Sequence, residues 1–95
     1  MVKTRLYDSA EYLDSSEALA EYLSEAFETN DAAFISQAIG TAARARGMTE
    51  IAREAGVSRE NLYRSLGGQT KPEFDTILRV LAALGVQLIA TAKVA

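Results

Sequence analysis

The 95-residue sequence predicts an all-α fold of five helices followed by a short C-terminal β-strand, and three observations predict it. Apolar residues recur at the 3.6-residue spacing of amphipathic helices. Hydrophobic residues make up 48% of the chain but aromatic residues only 7%, so the core must be built from Ala, Leu, Ile and Val in closely packed helices. After Gly85 the tail VQLIATAKVA mixes β-branched and polar residues, which is typical of a strand.

The chain is long enough for one modest hydrophobic core and too short for two. We expect an N-terminal arm over residues 1–14, a helical domain over residues 15–85 and a C-terminal tail over residues 86–95. A single strand has no partner within a helical chain, so we expect the tail to pair with the same strand of a second copy in a homodimer.

The first two helices have clear start signals. Asp14 followed by Glu17 is typical of a helix start and predicts a helix from about Ser15 to Glu28, and Asn30 or Asp31 can cap a second helix that ends at Gly47. The apolar stripe of the first helix is Leu19, Leu23, Ala26 and Phe27. The apolar stripe of the second helix is Phe34, Ile35, Ala38, Ile39 and Ala42.

The third and fourth helices are short. Thr49 can cap the third and Ser58 the fourth, while Gly56 between them allows the backbone to turn. Inward positions are Ile51, Ala52 and Ala55 on the third helix and Leu62 and Leu66 on the fourth. For the fifth helix, Pro72 fits the first turn and Gly85 the end. Its predicted stripe is Phe74, Ile77, Leu78, Leu81 and Leu84.

The break at Gly56 predicts a helix-turn-helix over residues 48–66. Two steeply crossed helices need a residue that tolerates positive φ in the turn and a small residue where the helices cross. Apolar side chains must then fill the wedge between them. The turn residues that meet these demands are Ala52, Gly56, Val57 and Leu62. This geometry allows the fourth helix to enter the major groove of double-stranded DNA by its N-terminal end.

Charge is divided along the sequence, although the net charge is only −3. Eight acidic residues and no basic residue lie between Asp8 and Asp31, whereas six basic residues and three acidic ones lie between Arg44 and Lys71. Such asymmetry favours two different partners, DNA for the basic part and a basic protein for the acidic first helix. Two solvated helix faces of opposite sign would explain the same pattern.

Several classes of function lack their residues. The chain has no cysteine and no histidine, which excludes thiolate chemistry, disulfides, most zinc sites and the commonest general base. We see no catalytic, metal or cofactor site. No segment approaches the roughly 20 apolar residues that cross a bilayer, and no signal peptide is visible, so we expect a cytoplasmic protein that is not an enzyme and does not bind a membrane.

The stretch AREAGVSRENLYRSLGGQTKPEFDTILRVLAALG, which ends at Gly85, resembles the lambda-repressor-like helix-turn-helix domains. Together with EYLDSSEALAEYLSEAFETND and ARARGMTEIAREAGVSRENLYRSL, it resembles the addiction-module antidote proteins, HigA-like antitoxins of type II toxin-antitoxin pairs. The resemblance extends from about Tyr12 to Leu88. It implies a homodimer that represses its own operon and neutralises a RelE/ParE-like toxin. One departure is Ser65, where many of these helices carry a larger apolar residue.

The helix-turn-helix geometry assigns expected DNA contacts. Arginine can donate two hydrogen bonds to guanine, which makes Arg59 and Arg64 the leading base readers. Glu60 could accept from cytosine and Tyr63 could contact a thymine methyl group. Candidates for phosphate contact are Thr49, Arg53, Ser58, Gln69, Thr70 and Lys71, with Asn61 a minor one.

Two other classes of function remain open at this point. A helical module that binds only proteins would need no outward arginines on the fourth helix. A solitary phage-type regulator would share the fold and the DNA contacts but have no toxin partner, and only the neighbouring reading frame or a co-purifying basic protein would distinguish it from an antitoxin.

Overall fold

The computed structural model describes residues 15–94, and over that range it contains five helices and no strand. The helices are α1 (Ser16–Glu28), α2 (Ala32–Arg46), α3 (Met48–Ala55), α4 (Arg59–Ser65) and α5 (Phe74–Leu84). The five predicted helices are therefore confirmed, and the bounds of α1 and α2 agree with the prediction to within two residues. The N-terminal arm, including Asp14, lies outside the described residues.

Side-chain caps begin three of the helices. The Ser15 hydroxyl accepts a hydrogen bond from the Ala18 amide at 3.1 Å, and the Asp31 carboxylate accepts from the Phe34 amide at 3.2 Å. Ser58 caps α4 in the same way, with 3.0 Å between its hydroxyl and the Asn61 amide. Each cap satisfies an amide that has no partner within its own helix. The predicted caps Asp31 and Ser58 are confirmed.

Two predicted helix starts are wrong. Thr49 lies inside α3, which begins at Met48 after the uncapped Gly47, because the Met48 side chain is only 5% exposed and its packing into the core holds the first turn. Pro72 precedes α5 rather than starting it. Glu73 keeps an extended backbone, with φ −68° and ψ 143°, so helical hydrogen bonding begins only after it.

The core lies around α3, which packs against α5, α2 and α4, while α1 packs on α2. Its largest fully buried side chains come from all helices except α3, and they are Leu19, Leu23, Ile39, Leu62, Val80 and Leu84. Burial of each such leucine, isoleucine or valine contributes about 1.5–3 kcal/mol of hydrophobic free energy. Small alanines of α2 and α3 between them allow the close helix packing that the composition predicts.

Three predicted core residues lie at the surface instead. Phe34 is 49% exposed, Phe74 67% and Leu78 42%, because all three lie on the parts of α2 and α5 that no described element covers. Val80, which was not in the predicted stripe of α5, is fully buried.

The predicted C-terminal strand is not found. Residues 86–94 form neither helix nor strand in the part of the chain that the structure describes, and Leu88 and Ile89 are exposed. A strand needs a neighbour to accept its backbone hydrogen bonds, and a helical chain on its own offers none. Within residues 15–94 no helix combines the length and the apolar character needed to cross a bilayer.

Candidate nucleic-acid interface

The turn between α3 and α4 occupies residues 56–58 and depends on Gly56. Gly56 has φ 77° and ψ 28°, the left-handed region in which a side chain is strained. Its amide donates to the Arg53 carbonyl at 3.2 Å, and the Val57 amide donates to the Ala52 carbonyl at 3.0 Å, so two carbonyls at the end of α3 are satisfied. The predicted break in the backbone is confirmed.

Helix α4 is held in place by apolar contacts on the side that faces the core. Leu62 is fully buried and Leu66 is 4% exposed, and α4 packs mainly against α3, where Ala52 is also buried. Val57 is partly buried and packs against the same core. Ala52, Val57 and Leu62 thus lie in or against the core around the turn at Gly56. Ser65, where the related helices often carry a larger apolar residue, is half-buried. The buried leucines that hold α4 against the core are therefore Leu62 and Leu66.

The opposite side of α4 carries the four predicted base-reading residues, and all of them are exposed: Arg59, Glu60, Tyr63 and Arg64. The Arg59 guanidinium lies over the Tyr63 ring, with 5.1 Å between the guanidinium carbon and the ring centroid. Within residues 15–94, neither Arg59 nor Arg64 forms an ion pair with a carboxylate. As far as the described residues go, both positive charges on this surface are available to an anionic partner.

A cleft of about 530 Å³ lies beside α4, between the C-terminal end of α2 and the first turn of α3. Its lining residues are Arg44, Gly47, Met48, Thr49, Glu50, Arg59 and Tyr63. The cleft brings together the predicted contacts Thr49, Arg59 and Tyr63. It also includes Arg44, which sequence reasoning did not select as a site residue. Arg44 could have been selected from the sequence because it is the first of the six basic residues between Arg44 and Lys71.

Arg53 is exposed, and it forms an ion pair with Glu50, one turn earlier on α3. The hydrogen bond from Arg53 and its positive charge lower the pKa of the Glu50 carboxyl, and the same bond to Glu50 raises the pKa of Arg53. Both groups are charged at neutral pH, so Glu50 offsets the attraction that Arg53 would exert on a phosphate.

The remaining phosphate candidates differ in what they can donate. The Ser58 hydroxyl accepts from the Asn61 amide and keeps its own proton, whereas the Thr70 hydroxyl already donates to the Arg64 carbonyl at 3.0 Å. Gln69 and Lys71 are exposed in the loop after α4, and like Thr70 they do not line the cleft. Of the phosphate candidates, Thr49 therefore lines the cleft and Ser58 caps α4, while the other three of this group lie in the loop after α4.

Two other arginines, Arg46 of α2 and Arg79 of α5, form bonds within the fold. Arg46 donates to the Leu84 carbonyl at 3.2 Å, and Arg79 donates to the Ala55 carbonyl at 3.3 Å while its guanidinium lies 2.8 Å from Asp75. These bonds satisfy carbonyls at the ends of α5 and α3.

Four acidic residues lie on α1, a different helix from the one that carries Arg59 and Arg64. The carboxylates of α1 lie on its exposed side, at Glu17, Glu21, Glu25 and Glu28. Among residues 15–94, no three acidic side chains come together in a way that could hold a metal ion. The carboxylates of α1 thus form a charged surface on a helix other than α4.

Comparisons with known proteins identify relatives. Residues 3–92 match the model of a family described as "Probable addiction module antidote protein". An uncharacterized protein from Haemophilus influenzae (strain ATCC 51907 / DSM 11121 / KW20 / Rd) is 44% identical over 81 residues, which cover 85% of this chain and 84% of that protein. No solved structure matches the chain.

Proposed function

Because the chain belongs to the probable addiction module antidote protein family, we propose that it is a DNA-binding antitoxin. In this proposal it binds its operator sequence-specifically as a homodimer, represses its own operon and neutralises a RelE/ParE-like toxin encoded beside it. The family supports the antitoxin role in general terms. The DNA-binding role is supported by the exposed side of α4.

The observation that carries the DNA-binding role is the pair of exposed arginines on a helix that is seated by its opposite side. Leu62 and Leu66 fix α4 against the core, so Arg59 and Arg64 project from a rigid support. An α-helix fits the major groove, which is about 12 Å wide, and arginine pairs with the O6 and N7 atoms of guanine. The break at Gly56 separates α4 from α3, as a helix-turn-helix requires.

The cleft beside α4 supplies further positive charge. Arg44 lines it together with Thr49, and both would face the DNA backbone when α4 enters the groove. Phosphate contacts of this kind fix the register of a protein on DNA but do not distinguish bases. The six basic residues between Arg44 and Lys71 predict a steep salt dependence, which Glu50, Glu54 and Glu60 should reduce.

A homodimer would present two copies of α4 to successive half-sites, about 34 Å apart on one side of the duplex. The exposed apolar residues of the tail, Leu88 and Ile89, agree with a protein that is not monomeric. The acidic side of α1 supports the toxin-binding role, because charge complementarity accelerates encounter with a basic protein.

A gel-shift assay with the DNA just upstream of the gene tests the proposal, run with and without the product of the adjacent reading frame. We expect a shift with the protein alone, which competitor DNA of random sequence does not abolish, and a further change with the adjacent product. A shift without any co-purifying basic partner would favour a solitary phage-type regulator. A stable complex with the adjacent product and no shift would favour a module that binds only proteins.

A further inference from the structure

Each candidate base-reading arginine on α4 is held by another side chain of the same helix. Tyr63 follows Arg59 by four residues, and residues at this spacing lie on the same side of a helix. Arg59 donates a hydrogen bond to the Tyr63 hydroxyl at 3.3 Å while its guanidinium lies over the ring. Arg64 donates to the Asn61 side-chain carbonyl at 3.0 Å.

These contacts leave most of each guanidinium free. An arginine has five N–H donors in a planar fork. Tyr63 accepts from one of them on Arg59, so enough donors remain for a bidentate pair with guanine. The contact therefore restricts the position of the guanidinium without using up its capacity to bind a base.

Restriction matters because a free arginine samples many rotamers and must lose that freedom when it binds. The Tyr63 ring has only two side-chain torsions, and it lies in the cleft beside Met48 and Thr49. A guanidinium already held over this ring loses less conformational entropy on contact with DNA. This smaller loss of conformational entropy requires the Tyr63 ring but no contact between Tyr63 and the DNA.

We propose that Tyr63 is a positioning residue for Arg59: it holds the guanidinium for a base edge and acts on base recognition through Arg59. Asn61 does the same for Arg64. The inference rests on the proposed function in that the recognised partner is double-stranded DNA. It differs from the sequence-based prediction, which gave Tyr63 a contact of its own with the DNA.

The first test observes the free protein by NMR and needs no DNA. The Arg59 side-chain Nε–Hε signal should show a ring-current shift and restricted motion in the wild-type protein. Tyr63→Leu should abolish the shift and increase the motion, whereas Tyr63→Phe, which keeps the ring, should retain most of both. Phe74→Leu, which removes an exposed aromatic ring from α5, is the matched control and should leave the Arg59 signal unchanged. Equal Arg59 mobility in the wild-type protein and Tyr63→Leu would overturn the proposal.

The second test is a double-mutant cycle on a DNA duplex that the wild-type protein selects from a random-sequence pool. Tyr63→Leu should reduce discrimination at one base position by about 3- to 10-fold, the range expected from loss of a cation–π contact, and leave the salt dependence unchanged because the charge remains. In an Arg59→Ala background the same substitution should have no further effect. Independent effects of the two substitutions would show that Tyr63 contacts DNA itself and would overturn the proposal.

The two tests separate this inference from the proposed function. If the wild-type protein selects no sequence from the pool, the proposed DNA-binding function fails, and with it the role of Tyr63 in base recognition. A circular dichroism melt of each variant shows whether that variant is folded. Tyr63 is 43% exposed, so its replacement should leave the fold intact, and a loss of discrimination in a folded variant supports the proposal.

Discussion

The absence of one side chain, at Gly40, sets how closely α2 approaches the end of α4. A Cβ atom at this position would lie 2.9 Å from the Leu66 carbonyl oxygen and 3.3 Å from the Leu66 Cβ. Leu66 is one of the two leucines that hold α4 in place, so Gly40 acts on the candidate interface from inside the core. Periodicity does not reveal such a contact, because a glycine inside an apolar stripe has the same pattern as an alanine.

Gly40→Ala should therefore destabilise the protein despite the better helix propensity of alanine. We expect the free energy of unfolding to fall by about 1–3 kcal/mol, the usual range for overpacking in a core, as measured by urea denaturation. Gly67→Ala is the matched control, since a Cβ there would meet nothing closer than the Tyr63 carbonyl at 3.5 Å. An equal effect of the two substitutions, or a stabilising Gly40→Ala, would contradict the packing described for Leu66.

At the scale of elements, local chemistry predicted two helix caps but not every helix start, and it predicted helix orientation only in part. Asp31 and Ser58 were predicted as caps because the bond from a capping side chain reaches only three residues along the chain. Thr49 has the right side chain, but the burial of Met48 starts α3 earlier. That burial is a tertiary effect, which the local sequence does not contain.

The orientation of α5 shows why its buried side was predicted only in part. Its sequence FDTILRVLAAL has apolar residues around most of the helix, so several stripes fit it equally well. Val80, Leu81 and Leu84 are buried because α5 lies across α3 and α2, while Phe74 and Leu78 extend beyond that contact. Only the position of the neighbouring helices decides between these stripes.

Removal of the α4 cap tests an element directly. Ser58→Ala leaves the Asn61 amide without its partner and should lower the free energy of unfolding by about 1 kcal/mol, measured by thermal or urea denaturation. Ser24→Ala, at an exposed position within α1, is the matched control and should be neutral or slightly stabilising. If both variants were equally stable, the cap would contribute nothing to α4.

At the scale of the whole molecule, the charge asymmetry of the sequence places the acidic side of α1 and the basic residues of α4 on different helices. The described acidic residues of the first helix stay on the exposed side of α1, while Arg44, Arg59 and Arg64 lie around the cleft and α4. The sequence predicted this division because long charged side chains remain hydrated wherever the helices pack. The strand predicted for the tail is not found, because a strand needs a neighbour and one helical chain on its own offers none.

The acidic surface of α1 should govern the rate of toxin binding and not DNA binding. A variant in which glutamine replaces Glu17, Glu21, Glu25 and Glu28 should associate with the adjacent basic protein at least about 10-fold more slowly at low salt, measured by stopped-flow or surface plasmon resonance. The difference should shrink as salt is added. Its affinity for the operator should not fall. An unchanged association rate at low salt would show that the acidic surface of α1 serves solubility and not toxin binding.

The measurement that tests the central claim most directly is the binding of Arg64→Ala to operator and to random DNA at fixed salt. We predict that Arg64→Ala weakens operator binding by about 1–3 kcal/mol, affects random DNA less and relaxes specificity at one base pair. Lys93→Ala, which removes one exposed positive charge from the tail, should leave this discrimination unchanged. Equal losses on operator and random DNA for Arg64→Ala would contradict base reading by α4.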